Sequence, residues 1–228
     1  MRPRNSSGAD CDCPAQSSHG IMSAREGRQI VKDRTVIVDY RAGNLTSVKL
    51  AFDALGAKTL VTSDPEMVRA ADRVVFPGVG AAASAMANLR ALGLAEAVRE
   101  AAAAKPFLGI CLGMQILFEH SEEDGGVDLL GILPGKVRRF PSVPGCKVPE
   151  IGWNQVNGLR IEGVPDGSEF YFVHSYYAEK GAYTAGVTEY AGIEFTSAVR
   201  KGKLFATQFH PEKSGRIGLS LLSSFLTL

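Results

Sequence analysis

Lys105-Pro106-Phe107-Leu108-Gly109-Ile110-Cys111-Leu112-Gly113-Met114-Gln115 is the stretch whose reading decides the fold. It reads as a buried strand, a sharp turn with Cys111 at the apex, and a helix running on through Phe118. Gly109 and Gly113 stand two residues to either side of the cysteine, the spacing of a nucleophile elbow with cysteine in place of serine. The spacing has a mechanical cause. A strand that reverses straight into a helix strains the backbone of its apex residue, and side chains at the flanking positions would collide across the turn. The apex sulfur is left at the carboxyl end of a sheet, where a helix N-terminus favours thiolate over thiol. A cysteine in an apolar run is also, very often, a small core residue, so the elbow alone leaves both readings open.

Leu204-Phe205-Ala206-Thr207-Gln208-Phe209-His210-Pro211-Glu212 separates them. A hydrophobic strand ends on His210, and Glu212 follows two residues later with Pro211 holding the chain extended between them. Two residues along an extended chain return to the same side, so Glu212 can hold the imidazole in place. A cysteine, a histidine base and an orienting carboxylate, all at strand ends, form a Cys-His-Glu triad of Cys111, His210 and Glu212.

Outward from these motifs the chain alternates strands and helices. Thr35-Val36-Ile37-Val38-Asp39-Tyr40 is β-rich; Leu45, Val48, Leu50, Ala51, Phe52 and Leu55 then recur at helical spacing up to Gly56. A short strand near 58–61 leads to a helix opened by Ser63 or Asp64 as cap with Pro65 behind it, then to the strand Arg73-Val74-Val75-Phe76. Pro77-Gly78-Val79-Gly80 ends that strand, just before a helix over about 81–92. Such alternation predicts a right-handed βαβ series, hence an α/β fold with a mostly parallel central sheet and flanking helices. From Val137 onward short strands with Gly and Pro turns predict a small antiparallel extension at one edge.

Gly109-Ile110-Cys111-Leu112-Gly113-Met114-Gln115 and Gln208-Phe209-His210-Pro211-Glu212-Lys213, in this order and at this separation, resemble the class I glutamine amidotransferase family. Within it, Pro77-Gly78-Val79-Gly80, Ile151-Gly152-Trp153-Asn154 and Phe172-Val173-His174-Ser175-Tyr176-Tyr177 resemble the glutaminase subunit of imidazole glycerol phosphate synthase. The likeness covers roughly Thr35 to the C-terminus. It implies a flavodoxin-like sheet, L-glutamine as substrate, no cofactor and no metal, and a heterodimer with a (β/α)₈ cyclase subunit that uses the ammonia in histidine biosynthesis. It also assigns roles. Backbone amides of Leu112 and of the loop at Val79 and Gly80 would form an oxyanion hole for the charge that builds on the amide carbonyl. Gly78, Gln115, Glu123, Ser175 and Tyr176 would bind substrate, Glu123 taking the α-ammonium. Asn44, Trp153 and Lys213 would face the cyclase. Glu150 stands where histidine or glutamine is expected, and Ala81-Ala82-Ala83 lacks the Phe-Gly pair common after the glycine-rich loop. His174 is a second candidate base; the carboxylate two residues after His210 favours His210.

Composition bounds the rest. The 228 residues, 45% hydrophobic, can bury a full core, and a formal net charge of +1 gives no sign of a nucleic acid or membrane partner. No apolar run approaches the roughly 18–20 residues that span a bilayer. Cys11, Cys13, Cys111 and Cys146 do not read as a disulfide framework, two of them falling in the leader, and a reducing cytoplasm is the expected compartment. Residues 1–33 are polar, without apolar periodicity, and read as a disordered leader ahead of an amidotransferase domain over 34–228. Two rivals stand beside this reading: the glutaminase subunit of anthranilate or aminodeoxychorismate synthase, and a non-catalytic regulatory protein of the same fold. Against the first stand Gly152-Trp153-Asn154 and the Pro77-Gly80 loop, and against the second an intact triad.

Overall fold

The computed structural model describes residues 34–41 and 45–228. The leader expected at 1–33 and the interface role expected of Asn44 lie outside the described residues. The chain runs β1 (Thr35–Val38), α1 (Leu45–Ala54), β2 (Thr59–Thr62), α2 (Pro65–Arg69), β3 (Arg73–Gly78), α3 (Ala82–Ala91), α4 (Leu94–Ala104), β4 (Phe107–Cys111) and α5 (Leu112–Gln115). It continues through β5 (His120–Ser121), β6 (Val127–Asp128), β7 (Lys136–Arg139), β8 (Glu150–Val156), β9 (Ser168–His174), β10 (Tyr176–Ala178), β11 (Thr184–Tyr190), β12 (Ile193–Lys201), β13 (Leu204–Thr207) and α6 (Gly215–Leu226).

The sheet order is β2-β1-β3-β4-β13-β12-β10-β7-β5-β6, with β11 also on β12. The five strands from β2 to β13 are parallel, and the pairings of β12 with β13, β11 and β10 are antiparallel. A separate two-stranded antiparallel sheet joins β8 to β9. The α/β expectation, with an antiparallel extension, is what the structure shows.

Apart from the edge strand β2, the parallel strands are buried on both faces, as period-2 side-chain alternation under two helical layers requires. Val36, Val38, Val74, Phe76 and Phe107 face one core with Met86, Leu89, Leu94 and Val98 of α3 and α4. Ile37, Val75, Leu108 and Ile110 face the other, against Val48 and Phe52 of α1 and Leu221, Leu222 and Phe225 of α6. Each such large side chain contributes about 1.5–3 kcal/mol relative to exposure, so the strand ends rest on a rigid platform. At α2 the cap is Asp64, whose Oδ1 accepts the Glu66 N–H at 2.9 Å, with Pro65 in the first turn.

Two local expectations change. The helix after Cys111 ends at Gln115 rather than Phe118, because the carbonyls of Ile116, Leu117 and Phe118 accept N–H groups of the 130–133 loop instead of continuing the helix. Nor is the chain extended through Glu212. His210 is extended, but Pro211–Lys213 is a 3₁₀ turn closed by Lys213 N–H on the His210 carbonyl and Ser214 N–H on the Pro211 carbonyl.

Candidate active site

Neighbouring parallel strands bring the chemistry together. In the sheet register Gly78 at the end of β3 lies beside Cys111 at the end of β4, and β13 runs next to β4 on its other side. The Val79–Gly80 loop, the cysteine and His210 thus leave from adjacent carboxyl ends, where α/β sheets place their ligands.

Cys111 has φ 55° and ψ −113°, a strained conformation for any residue with a side chain. The surrounding glycines let it persist. A Cβ on Gly113 would stand 1.9 Å from the Phe76 carbonyl oxygen, one on Gly109 2.8 Å from the Gly113 oxygen, and one on Gly78 2.5 Å from the Gly113 nitrogen. The elbow therefore closes only where these side chains are absent. The sulfur lies 3.7 Å from Gln208 Nε2 and 4.0 Å from the Val173 carbonyl oxygen.

His210 Nδ1 is 2.7 Å from Glu212 Oε1, and both side chains are 3% exposed. Nδ1 is thereby committed to the carboxylate, which leaves Nε2, with no other partner among the described residues, open to the Cys111 sulfur. Burial is the largest influence on this imidazole and lowers its pKa. It is outweighed by the charge of Cys111 and the ring's bonding to it, then by Glu212, so that the pKa rises from 6.5 to about 10.

A cavity of about 300 Å³ opens over this pair, lined by Val79, Gly80, Cys111, Leu112, Gln115, Glu123, Pro149, Val173, His174, Ser175, Tyr176, His210 and Lys213. Of the residues expected from sequence, Gly78 does not line it; it packs beneath the elbow. Leu112 opens α5, whose first-turn amides have no partner within the helix. Glu123 reaches the cavity because its Oε2 accepts the Ala82 N–H at the start of α3 at 2.7 Å. Its pKa is raised, chiefly by burial, with the Ala82 N–H opposing and Asp124 adding. Gln115 donates through Nε2 to the Tyr176 carbonyl at 2.8 Å and to Gln208 Oε1 at 2.9 Å, which leaves its own Oε1 to accept.

Trp153 lies outside the cavity, 56% exposed, beside Ile151 at 64%. Its ring meets Tyr171 edge-on at 6.2 Å, and Lys213 Nζ stands 5.9 Å over the same Tyr171 ring. Tyr171, which nothing in the motifs singles out, thus joins the two expected interface residues, and its carbonyl accepts the His210 N–H at 2.9 Å.

The structure also gathers groups the sequence reading left aside. Tyr40 is fully buried, with its hydroxyl below Gly78. Burial first, then the charge of Cys111, raise its pKa, while the Val79 amide lowers it. His174 is not a free base: Nε2 lies 3.0 Å from Glu150 Oε2, both side chains being under 5% exposed, and Nδ1 lies 2.8 Å from the Tyr176 carbonyl. Glu150 also accepts from Asn154 Nδ2 at 2.9 Å. The unusual glutamate is accommodated as the partner of a buried histidine. Only its spacing from His174 on a facing strand, Glu150 opposite His174 in register, reveals this.

A strained cysteine elbow, a carboxylate-held imidazole and an open cavity lie together at the carboxyl ends of a parallel sheet. The glutamine amidotransferase class-I family model matches residues 36–227, and the chain belongs to that family. It is 52% identical over 196 residues to imidazole glycerol phosphate synthase subunit HisH of Moorella thermoacetica, covering 83% of this chain and 92% of that protein. It is 49% identical to the HisH subunit of Dehalococcoides mccartyi, covering 84% and 96%. At that identity and coverage the chain is a glutamine amidotransferase subunit of the HisH type. Solved structures share the fold: a glutamine amidotransferase crystal structure (TM-score 0.66, 20% identity, 85% of this chain and 99% of that one) and PurLQS from Thermotoga maritima (0.60, 16%, 85% and 97%).

Proposed function

We propose that residues 34–228 form the glutaminase domain of an imidazole glycerol phosphate synthase, which hydrolyses L-glutamine and passes ammonia to a (β/α)₈ cyclase subunit in the cytoplasm. The observation that carries this is the buried imidazole of His210, held by Glu212 at 2.7 Å beside the strained Cys111 and inside the cavity that Glu123 reaches.

The Cys111 thiolate attacks the side-chain amide carbon of glutamine, and the oxygen that becomes negative is met by the amides of Leu112 and of Val79 or Gly80. His210 gives its proton to the departing nitrogen, releasing ammonia and leaving a glutamyl thioester. The charge on sulfur has now gone, and with it the strongest influence raising the pKa of His210. Burial then pulls the imidazole back toward neutrality, the form needed to take a proton from water. Hydroxide attack on the thioester releases glutamate and returns the thiolate. One histidine serves as acid and then as base because its partner's charge comes and goes.

Ammonia released into water becomes ammonium and loses its nucleophilicity, so a second site must lie against the mouth of the cavity. The apolar face of Ile151 and Trp153, next to Lys213, supports docking of the cyclase there. Glutaminase activity of the purified chain, alone and with the cyclase and its nucleotide ligand, tests the reading. Stimulation by the complex that vanishes in Cys111→Ala, with synthesis from ammonium salts preserved, is the expected result. Loss of both activities in an assembled Cys111→Ala complex would overturn it.

A further inference from the structure

We propose that Gln208 is a positioning residue for the nucleophile, aiming a side-chain N–H at the Cys111 sulfur so that the thiolate is the form held in the elbow. The inference rests on Cys111 being the nucleophile and adds a residue that does not line the cavity.

The orientation of a buried amide is legible only from what it bonds to, and here one end of the chain of bonds is unambiguous. The Tyr176 carbonyl can only accept. It lies 2.8 Å from the Gln115 amide nitrogen and 2.8 Å from His174 Nδ1, and His174 is itself held by Glu150. The group of Gln115 at that carbonyl must therefore be its NH₂. Its second N–H points to Gln208 at 2.9 Å, so the atom of Gln208 that receives it is Oε1. The opposite end of the Gln208 amide is then an NH₂, and it lies 3.7 Å from Sγ. Gln208 is 0% exposed, so bulk solvent does not reach that donor. An N–H aimed at sulfur stabilises the anion and has little to offer the neutral thiol, a weak acceptor.

The test is the rate at which iodoacetamide alkylates Cys111 across pH, on the full chain, for wild type, Gln208→Met and Gln208→Glu, with circular dichroism and melting checking the fold. Met keeps the length and removes the donor; Glu keeps the shape and presents oxygens to the sulfur. The expected result is at least about a tenfold slower alkylation at neutral pH and a profile moved to higher pH in either folded variant. Turnover with glutamine falls in parallel while KM changes little. A folded variant with the wild-type alkylation profile overturns the role of Gln208. A wild-type Cys111 that resists alkylation overturns instead the assignment of the nucleophile.

Discussion

Gly113→Ala concentrates the elbow's geometry in one methyl group. Its Cβ would lie 1.9 Å from the Phe76 carbonyl oxygen and 3.0 Å from the carbonyl carbon. Ordinary contact begins near 3.4 Å, so about 1.5 Å of clearance has to be created. The obstructing atoms are backbone of β3, which is hydrogen-bonded to β1 on one side and β4 on the other, so no flexible side-chain end can swing aside. Either the strand shifts within the sheet or α5 lifts off it. Overpacking of this kind costs about 1–3 kcal/mol, occasionally more, which lowers the melting temperature by about 2–12 °C for a domain of this size. The catalytic effect is larger. Val79 follows Phe76 by three residues, so the same shift separates the loop amide from that of Leu112, and a misplacement of about 1 Å can cost a factor of about 100 in rate. Glutaminase kcat/KM in the cyclase complex, with a thermal melt of the chain, measures both. Gly181→Ala, with nothing within 4 Å of its added Cβ, is the control and leaves both unchanged. A Gly113→Ala protein with wild-type melting and activity would refute the close approach on which the elbow depends.

Three further outcomes follow from the charges. In Cys111→Ala the largest influence raising the His210 pKa is gone, so its NMR titration drops well below about 10; an unmoved titration would disprove the coupling. In the wild type, the folded-state pKa of His210 is raised above the unfolded 6.5, so its contribution to stability is fully present below pH 6.5 and lost as pH rises through about 10. Urea midpoints across that window fall more steeply in the wild type than in His210→Gln. Glu123→Gln removes the carboxylate proposed to hold the α-ammonium, so KM for glutamine rises about 10- to 100-fold with little change in kcat; an unchanged KM would free Glu123 of that role.

The local patterns of this chain determined more of its chemistry than of its assembly. Gly-x-Cys-x-Gly could be read as an elbow because the clash it avoids is local, between residues two apart, and its cause appears in the structure as the Gly109 and Gly113 contacts. The alternation of β-rich and helical stretches likewise determined the α/β class, since periodicity is set within each element. Strand order was not legible. That β4 lies between β3 and β13, so that Gly78, Cys111 and His210 meet, is decided by which faces pack under α1, α3, α4 and α6. The extended geometry expected between His210 and Glu212 gives way to a 3₁₀ turn because Gly218 of α6 lets the Pro211 carbonyl approach to where a Cβ would stand 1.9 Å away. Glu150, out of place by resemblance, and Gln208, one residue of a motif, have no legible part in sequence until tertiary contacts bury them, one against His174 and the other against the sulfur. A residue's type and spacing state what it is able to do. Its burial and its partners, set by chain segments far away in sequence, decide which of those things it does.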